Sequence, residues 1–333
     1  MRPLVKIIDL AALRHNLALL QAKAAPAKLM AVVKANAYGH GVENILAGLT
    51  SGTQLAVACI EEAIQLRELG AKQPIVLLEG VFEPQELSLC RAHDFIPLIC
   101  QQRQLDWLAK DSAKYSAPLA IWLKVDSGMH RLGFSGTHLK QVIAQVRSLA
   151  SVRCLGLATH FACADEEDLT HTQGQLDLMN ALDYPLNWQR CYANSPALLQ
   201  MSGLETDWVR VGLALYGISP IPRYSADRLN LQAVMTLQTQ ILDTHYLRKG
   251  DSAGYAQGFV APKAGNIATI ALGYGDGFPH RIDNAAVQVK IKHKNYPIVG
   301  RVAMDMSLVW LGDDNYDVGT TVIIWNSEHP IEI

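Results

Sequence analysis

Six side chains able to do chemistry fall at one recurring place, the end of a short apolar run. Lys34 closes LMAVVKA, Lys124 and Asp126 close LAIWLKVDS, and His160 lies in CLGLATHF. Ser195 ends RCYANS, and Arg210 sits inside WVRVGL. Together they form a cationic, hydroxyl-bearing group suited to an anionic ligand. Lys34 is the sharpest of them. A lysine on a buried strand end is heavily desolvated unless it is neutral or reacts. Imine formation with an aldehyde cofactor is one such use; the competing reading is a lysine snorkelling to a rim. Asn194-Ser195-Pro196 and Val211-Gly212-Leu213 offer a hydroxyl and glycine-adjacent N–H groups, the donors a phosphate needs. Alternatively, Ser195 caps a helix beginning at Pro196.

The elements that position these residues are legible in the apolar pattern. Eight runs, at 29–35, 55–60, 74–80, 95–100, 119–127, 154–161, 190–195 and 208–213, alternate with amphipathic stretches such as EEAIQLRELG and HLKQVIAQVRSLA. Near-continuous apolar strands with helical returns describe parallel βα units, and eight of them predict a TIM-like (β/α)8 barrel. Active sites of such barrels gather at the C-terminal strand ends, with phosphate often bound after strands 7 and 8. A dinucleotide-binding sheet is disfavoured, because no GxGxxG follows an early strand. After residue 220 the polar linker IPRYSADRLN leads to VMTLQTQIL, NIATIALG, AVQVKIK and TTVIIW, rich in β-branched residues. The chain therefore divides into a barrel at 1–220, with VKIIDL as an N-terminal strand of unread pairing, and a mostly β domain at 221–333.

Bulk properties exclude several classes. Half of the 333 residues are hydrophobic and the formal net charge is -2 with scattered basic residues, so no nucleic-acid footprint is visible. Lys6, Asp9 and Arg14 interrupt any signal-type apolar segment. No apolar run approaches the ~20 residues that span a bilayer. The six cysteines form no CxxC pair and sit largely in apolar runs, which suits reduced thiols in a cytoplasmic protein. No metal-ligand spacing is apparent.

Eight motifs then occur in order: VVKANAYGHG, LKVDSGMHRLGF, LATHFACAD, ANSPA, VRVGLALYG, GYAQGF, GYGDGFP and GRVAMDM. In this the chain resembles the alanine racemases, which depend on pyridoxal 5'-phosphate. The resemblance covers nearly the whole length. It implies a homodimer, each active site completed by the partner's β domain, that interconverts L- and D-alanine for peptidoglycan or alanine catabolism. It implies that Lys34 bonds the cofactor and serves as one acid/base, with Tyr255 as the other, acting in trans. Inversion at Cα needs a proton removed from one face and returned to the other. A phenol, with pKa ~10, becomes a usable base only where cations favour its phenolate; Arg131 and His160 are the cations the resemblance brings near. Without it, Tyr255 reads as a turn aromatic between Gly254 and Gly258.

The resemblance further implies that Arg210 faces the pyridine nitrogen, where a group that never deprotonates cannot hand over a proton; the alternative is an arginine paired to Asp207 or Asp126. Tyr38, Ser195, Gly212 and Leu213 would hold the phosphate, with Tyr216 of VRVGLALYG beside them, and His160 would pack on the ring. Arg131 and the Met304 N–H would receive the substrate carboxylate, supported by Asp305 and by Lys124, which many relatives carry as a carbamate. Asp165, Tyr274 and Arg281 would line the approach. Relatives run some tens of residues past HPIEI, so the β domain is expected to be incomplete and to lack the usual C-terminal segment. A non-catalytic cofactor carrier and an inactive fragment are the alternative functions.

Overall fold

The computed structural model describes residues 2–282 and 287–331. Its strands are β1 (Val5–Ile8), β2 (Lys28–Val32), β3 (Gln54–Val57), β4 (Ile75–Leu77), β5 (Phe95–Ile99), β6 (Leu119–Asp126), β7 (Phe134–Ser135), β8 (Val152–Ala158), β9 (Gln189–Cys191) and β10 (Trp208–Val211). They continue as β11 (Met235–Leu247), β12 (Ser252–Ala253), β13 (Phe259–Val260), β14 (Gly265–Ile270), β15 (Gln288–Ile291), β16 (Lys294–Val299), β17 (Ser307–Gly312) and β18 (Thr321–Trp325). Two compact units result: Leu10–Gln232, and Met1–Asp9 with Ala233–Ile333.

The first unit is the expected (β/α)8 barrel. Its parallel order is β10-β2-β3-β4-β5-β6-β8-β9, and the Ala193–Val209 bridge with Arg210 N–H donating to Ala193 O all but closes the ring. All eight apolar runs became barrel strands. Their inward side chains, among them Met30, Val32, Val76, Leu98, Trp122 and Ala158, form one core. The small residues at the crowded positions matter: a Cβ on Gly156 would lie 1.9 Å from Gln189 O, so β8 and β9 pair only because that position has no side chain.

The second unit is an antiparallel sheet of order β1-β11-β14-β17-β16-β15-β18, closed by a further β11–β18 pairing around Ile241, Ile270, Val289, Ile298, Val309 and Val322. The run expected at 286–292 begins just outside the described residues and is β15 from Gln288.

Both expected domain boundaries shift. VKIID, residues 5–9, does not belong to the barrel unit: β1 pairs antiparallel with the first residues of β11, Val5 opposite Gln238, and satisfies an edge of the β unit. The linker 221–232 belongs to the barrel unit because buried Asn16 clamps it. Asn16 Nδ2 donates to Leu215 O and Gln232 O, and its Oδ1 accepts from Gln232 N–H. No helix among the described residues is long and apolar enough to cross a membrane.

Candidate active site

At the C-terminal ends of the barrel strands lies a cavity of about 460 Å³, within the range of small-molecule sites. Lys34, Tyr38, Lys124, Arg131, His160, Ser195, Arg210, Gly212 and Leu213 all line it. Nine residues singled out in the sequence are thus brought together by one barrel face. Tyr216 is buried beneath, donating its hydroxyl to Val32 O and facing the ring of Tyr38 at 5.1 Å. Asp165 is half-buried in the loop after β8, outside the cavity lining.

Lys34 opens a left-handed turn. Ala35, Asn36, Ala37 and Tyr38 all have φ between 51° and 55°, a left-handed helical turn built without glycine until Gly39. Such backbone costs roughly 1–2 kcal/mol per residue and concentrates at functional sites. Two side chains hold it. Asn36 Oδ1 accepts from Val42 N–H at 2.7 Å, and Glu62 bridges Ala35 N–H (2.6 Å) to Ala58 N–H (2.8 Å). The turn brings Tyr38 back to the cavity, where a Cβ on Gly212 would lie 2.4 Å from the tyrosine hydroxyl. Gly212 is therefore required by close approach.

Ser195 is not the helix cap. Asn194 fills that place, its Oδ1 accepting from Ala197 N–H at 3.2 Å. The buried Ser195 hydroxyl instead accepts from Gly212 N–H at 3.1 Å, tying the loops after β9 and β10 into one donor-rich wall.

Arg210 is buried and has no carboxylate partner among the described residues. Nη1 donates to Cys191 O (2.5 Å) and Cys191 Sγ (2.9 Å), and Nη2 to Thr159 O (2.5 Å) and Tyr192 O (3.3 Å). The alternative pairing is overturned. Asp207 accepts from Arg190 N–H, and Asp126 accepts from Gly128 N–H, His130 N–H and the His130 ring. The guanidinium is a fixed cation looking for an anion.

His160 stands 3.4 Å from Arg210 Nη2. Burial, then Arg210, Arg131, Lys124 and Lys34, push its imidazole down to about 3. It is neutral at pH 7, which corrects the expectation of His160 as a cation. A histidine neutral in the fold and protonated when unfolded makes stability fall as pH drops below ~6.5. The loss should reach about 3 kcal/mol by pH 4. Urea unfolding across that range should show a His160→Asn variant with a correspondingly flatter profile; parallel profiles would contradict it.

Burial, and then neighbouring Arg210 and Arg131, hold the Lys124 amine below the usual lysine range against the opposing pull of Cys100 and Glu79. Glu79, missed in the sequence, is the sole carboxylate of the described cavity lining. Thr159 was missed too; it follows the end of β8 directly, which was the available signal.

A larger hollow of about 720 Å³ opens at the opposite strand ends, by Phe95, Leu119 and Arg153. Arg67 there donates to the carbonyls of Ala71, Gln73 and His93, and Arg91 to Asp111, Ala117 O and Ser151 O. These guanidiniums tie loops, as that barrel face is expected to.

The remaining sequence candidates belong to the β unit. Tyr255 is 68% exposed, on a short turn between β12 and β13. Met304 is 63% exposed, Asp305 is exposed beside it, and Tyr274 faces His280 edge-on at 5.1 Å. Arg281 is exposed.

A family model for the alanine racemase N-terminal domain matches residues 8–220, and one for the alanine racemase C-terminal domain matches 234–333. The chain belongs to the alanine racemase family. That family depends on pyridoxal phosphate. An alanine racemase of Dichelobacter nodosus is 49% identical over all of this chain and 92% of its own. A biosynthetic alanine racemase from Pseudomonas aeruginosa superposes with a TM-score of 0.92 at 39% identity, over 99% of this chain and 92% of that one. The Acinetobacter baumannii alanine racemase gives 0.90 at 36%, with the same coverage. The family's C-terminal domain is matched over residues 234–333, and the expectation that it lacks its usual C-terminal segment is not borne out.

The cavity suits the family's cofactor. Four basic side chains (Lys34, Lys124, Arg131 and Arg210) face one carboxylate, and the Ser195–Gly212 wall supplies neutral donors. An anionic phosphate and a substrate carboxylate would balance that charge.

Proposed function

We propose that this protein is a cytoplasmic, homodimeric racemase that interconverts L- and D-alanine with pyridoxal phosphate. The observation that carries the reading is the convergence of Lys34, Arg210 and the Ser195–Gly212 wall on one cationic cavity. Bound there, the cofactor supplies an aldehyde that condenses with amines and a conjugated ring that delocalises the electrons left at Cα.

Each further role falls to the chain's own residues. Lys34 offers the amine and takes or returns the proton on one face of Cα. Tyr255 of the partner subunit does so on the other. Tyr255, Met304 and Val260 are exposed on the β unit and so are open to such a partner. Tyr38, Ser195 and the N–H groups of Gly212 and Leu213 hold the phosphate, with Tyr216 supporting Tyr38 from beneath. Arg210 would hold the ring-nitrogen side of the cofactor and, as a permanent cation, would have no proton to hand over there. His160 would pack against the ring as a neutral imidazole. Arg131 and the Met304 N–H receive the carboxylate, for which a guanidinium fork is suited; Asp305 supports Met304. The Lys124 amine, depressed by burial, is disposed to add CO2 with loss of a proton, and the resulting carbamate would orient Arg131. Asp165, Tyr274 and Arg281 line the approach.

Borohydride treatment of the yellow holoenzyme should fix a pyridoxyl group on Lys34 and abolish L-to-D alanine conversion. Peptide mapping that finds the label on another lysine would sink the assignment. Stoichiometric labelling of Lys34 without racemisation by untreated enzyme would favour the carrier reading instead.

A further inference from the structure

Within the β unit, two loops carry residues of the proposed site: 273–277, with Tyr274, and 303–306, with Met304. They behave as one body. Tyr274 N–H donates to Ala303 O (3.0 Å) and Gly275 N–H to Met304 O (2.7 Å). A Cβ on Gly273 would lie 2.3 Å from Met304 O, so no side chain fits between the backbones. Ala303 N–H turns back to Met306 O at 2.9 Å. Among the described residues, the Met304 N–H itself donates to none.

A third segment fastens this body. Arg2 grips Asp276 with both guanidinium arms, Nη1 to Oδ1 at 2.5 Å and Nη2 to Oδ2 at 2.8 Å. Nη2 also donates to the carbonyl of Asp305, the residue after Met304. Asp276 in turn accepts from Gly273 N–H at 2.9 Å. One planar fork thus spans both loops, a geometry a lysine cannot copy. The hydrogen bond from Arg2, with the Gly273 N–H behind it, holds the Asp276 carboxyl below the usual range, so the clamp stays charged at neutral pH.

We infer that Arg2 is a positioning residue for substrate binding. It bolts the 273–277 and 303–306 loops together and so fixes the direction of the Met304 N–H. The inference rests on the reading of that N–H as a carboxylate donor. Freed of Arg2, the 303–306 loop loses the bond at Asp305 O, one residue past that donor. The carboxylate is bound in ground and transition states alike, so the effect belongs mainly in KM.

The test compares wild type, Arg2→Gln, Arg2→Lys and Asp276→Asn as holoenzymes. Readouts are alanine kinetics per bound cofactor, propionate binding by calorimetry as the carboxylate probe, and Tm. Arg2→Gln should raise KM and the propionate Kd about tenfold with kcat within about threefold. Arg2→Lys should recover part of that loss, and adding Asp276→Asn to Arg2→Gln should change little more. A residue that only stabilised the unit would lower Tm and leave both constants alone. KM and propionate Kd within twofold of wild type in Arg2→Gln would overturn the inference, whatever happens to Tm. Should Arg2→Gln fail to fold, Arg2→Lys decides, an unchanged KM counting against. Wild-type protein that does not racemise alanine would remove the proposed function and this role with it. Normal wild-type turnover with unmoved variants removes only the role of Arg2.

Discussion

Lys34→Ala and Tyr255→Phe chains, each nearly inactive alone, should recover about a quarter of wild-type racemase activity when unfolded and refolded together. A mixed dimer holds one site lacking both groups. Its other site takes Lys34 from the Tyr255→Phe chain and Tyr255 from the Lys34→Ala chain, and is intact. Random pairing makes about half of the dimers mixed, each with one working site of two. Were both residues to act within one chain, no mixed dimer would contain an intact site. The structure makes the experiment practicable, because Tyr255 is 68% exposed on its turn, and removing one hydroxyl there should leave the fold undisturbed. Light scattering must confirm dimers and exchange. No recovery despite confirmed exchange would overturn the trans arrangement.

The barrel was legible because most of its strands are buried on both faces. LMAVV, LAVA and LAIWLKV read as continuous apolar runs, and their polar ends mark the cavity without further information. The β unit was legible only in part. β16 is KNYPIV, with a proline and two polar residues in six, and β17 follows the GRVAMDM motif directly, so neither stands out as a strand. The pairing of β1 with β11 joins residues more than two hundred positions apart, which no local pattern encodes.

Site residues differ in the same way. A chemical side chain at a strand end announces itself; one that holds backbone does not. Glu62 resembles any acidic residue in a helix's first turn, yet it carries the N–H groups that fix the Lys34 turn. The left-handed run at 35–38 contains only one residue, Asn36, that tolerates it readily. Cys191 reads as a small buried hydrophobe, and its role against Arg210 depends on how β9 and β10 lie together. Arg2 is a further case, recognisable only once the two loops it grips are in place.

Arg210→Glu should cost the fold ~3 kcal/mol or more and raise the ratio of transamination to racemisation in what folds. The first effect follows from the partners. Arg210 donates to the carbonyls of Thr159, Cys191 and Tyr192, at the ends of β8 and β9. A glutamate has no donor to offer them when ionised, and each buried carbonyl left unpaired costs about 1–3 kcal/mol. Lys34, Lys124 and Arg131 line the same cavity and would favour the charged form of the new carboxyl, so protonation offers little escape. The second effect follows from proton supply. A carboxyl opposite the ring nitrogen can share a proton with it where a guanidinium cannot. Such sharing would deepen the electron sink that the cofactor supplies and so favour transamination over racemisation. Pyruvate released per alanine racemised measures the ratio directly, and urea unfolding measures the stability. The two readouts separate cleanly, because a variant that is merely unstable loses active enzyme without changing how each turnover is partitioned. A folded Arg210→Glu enzyme with an unchanged pyruvate ratio would show that Arg210 does not face the ring nitrogen. Its burial would then be explained by the three carbonyls alone.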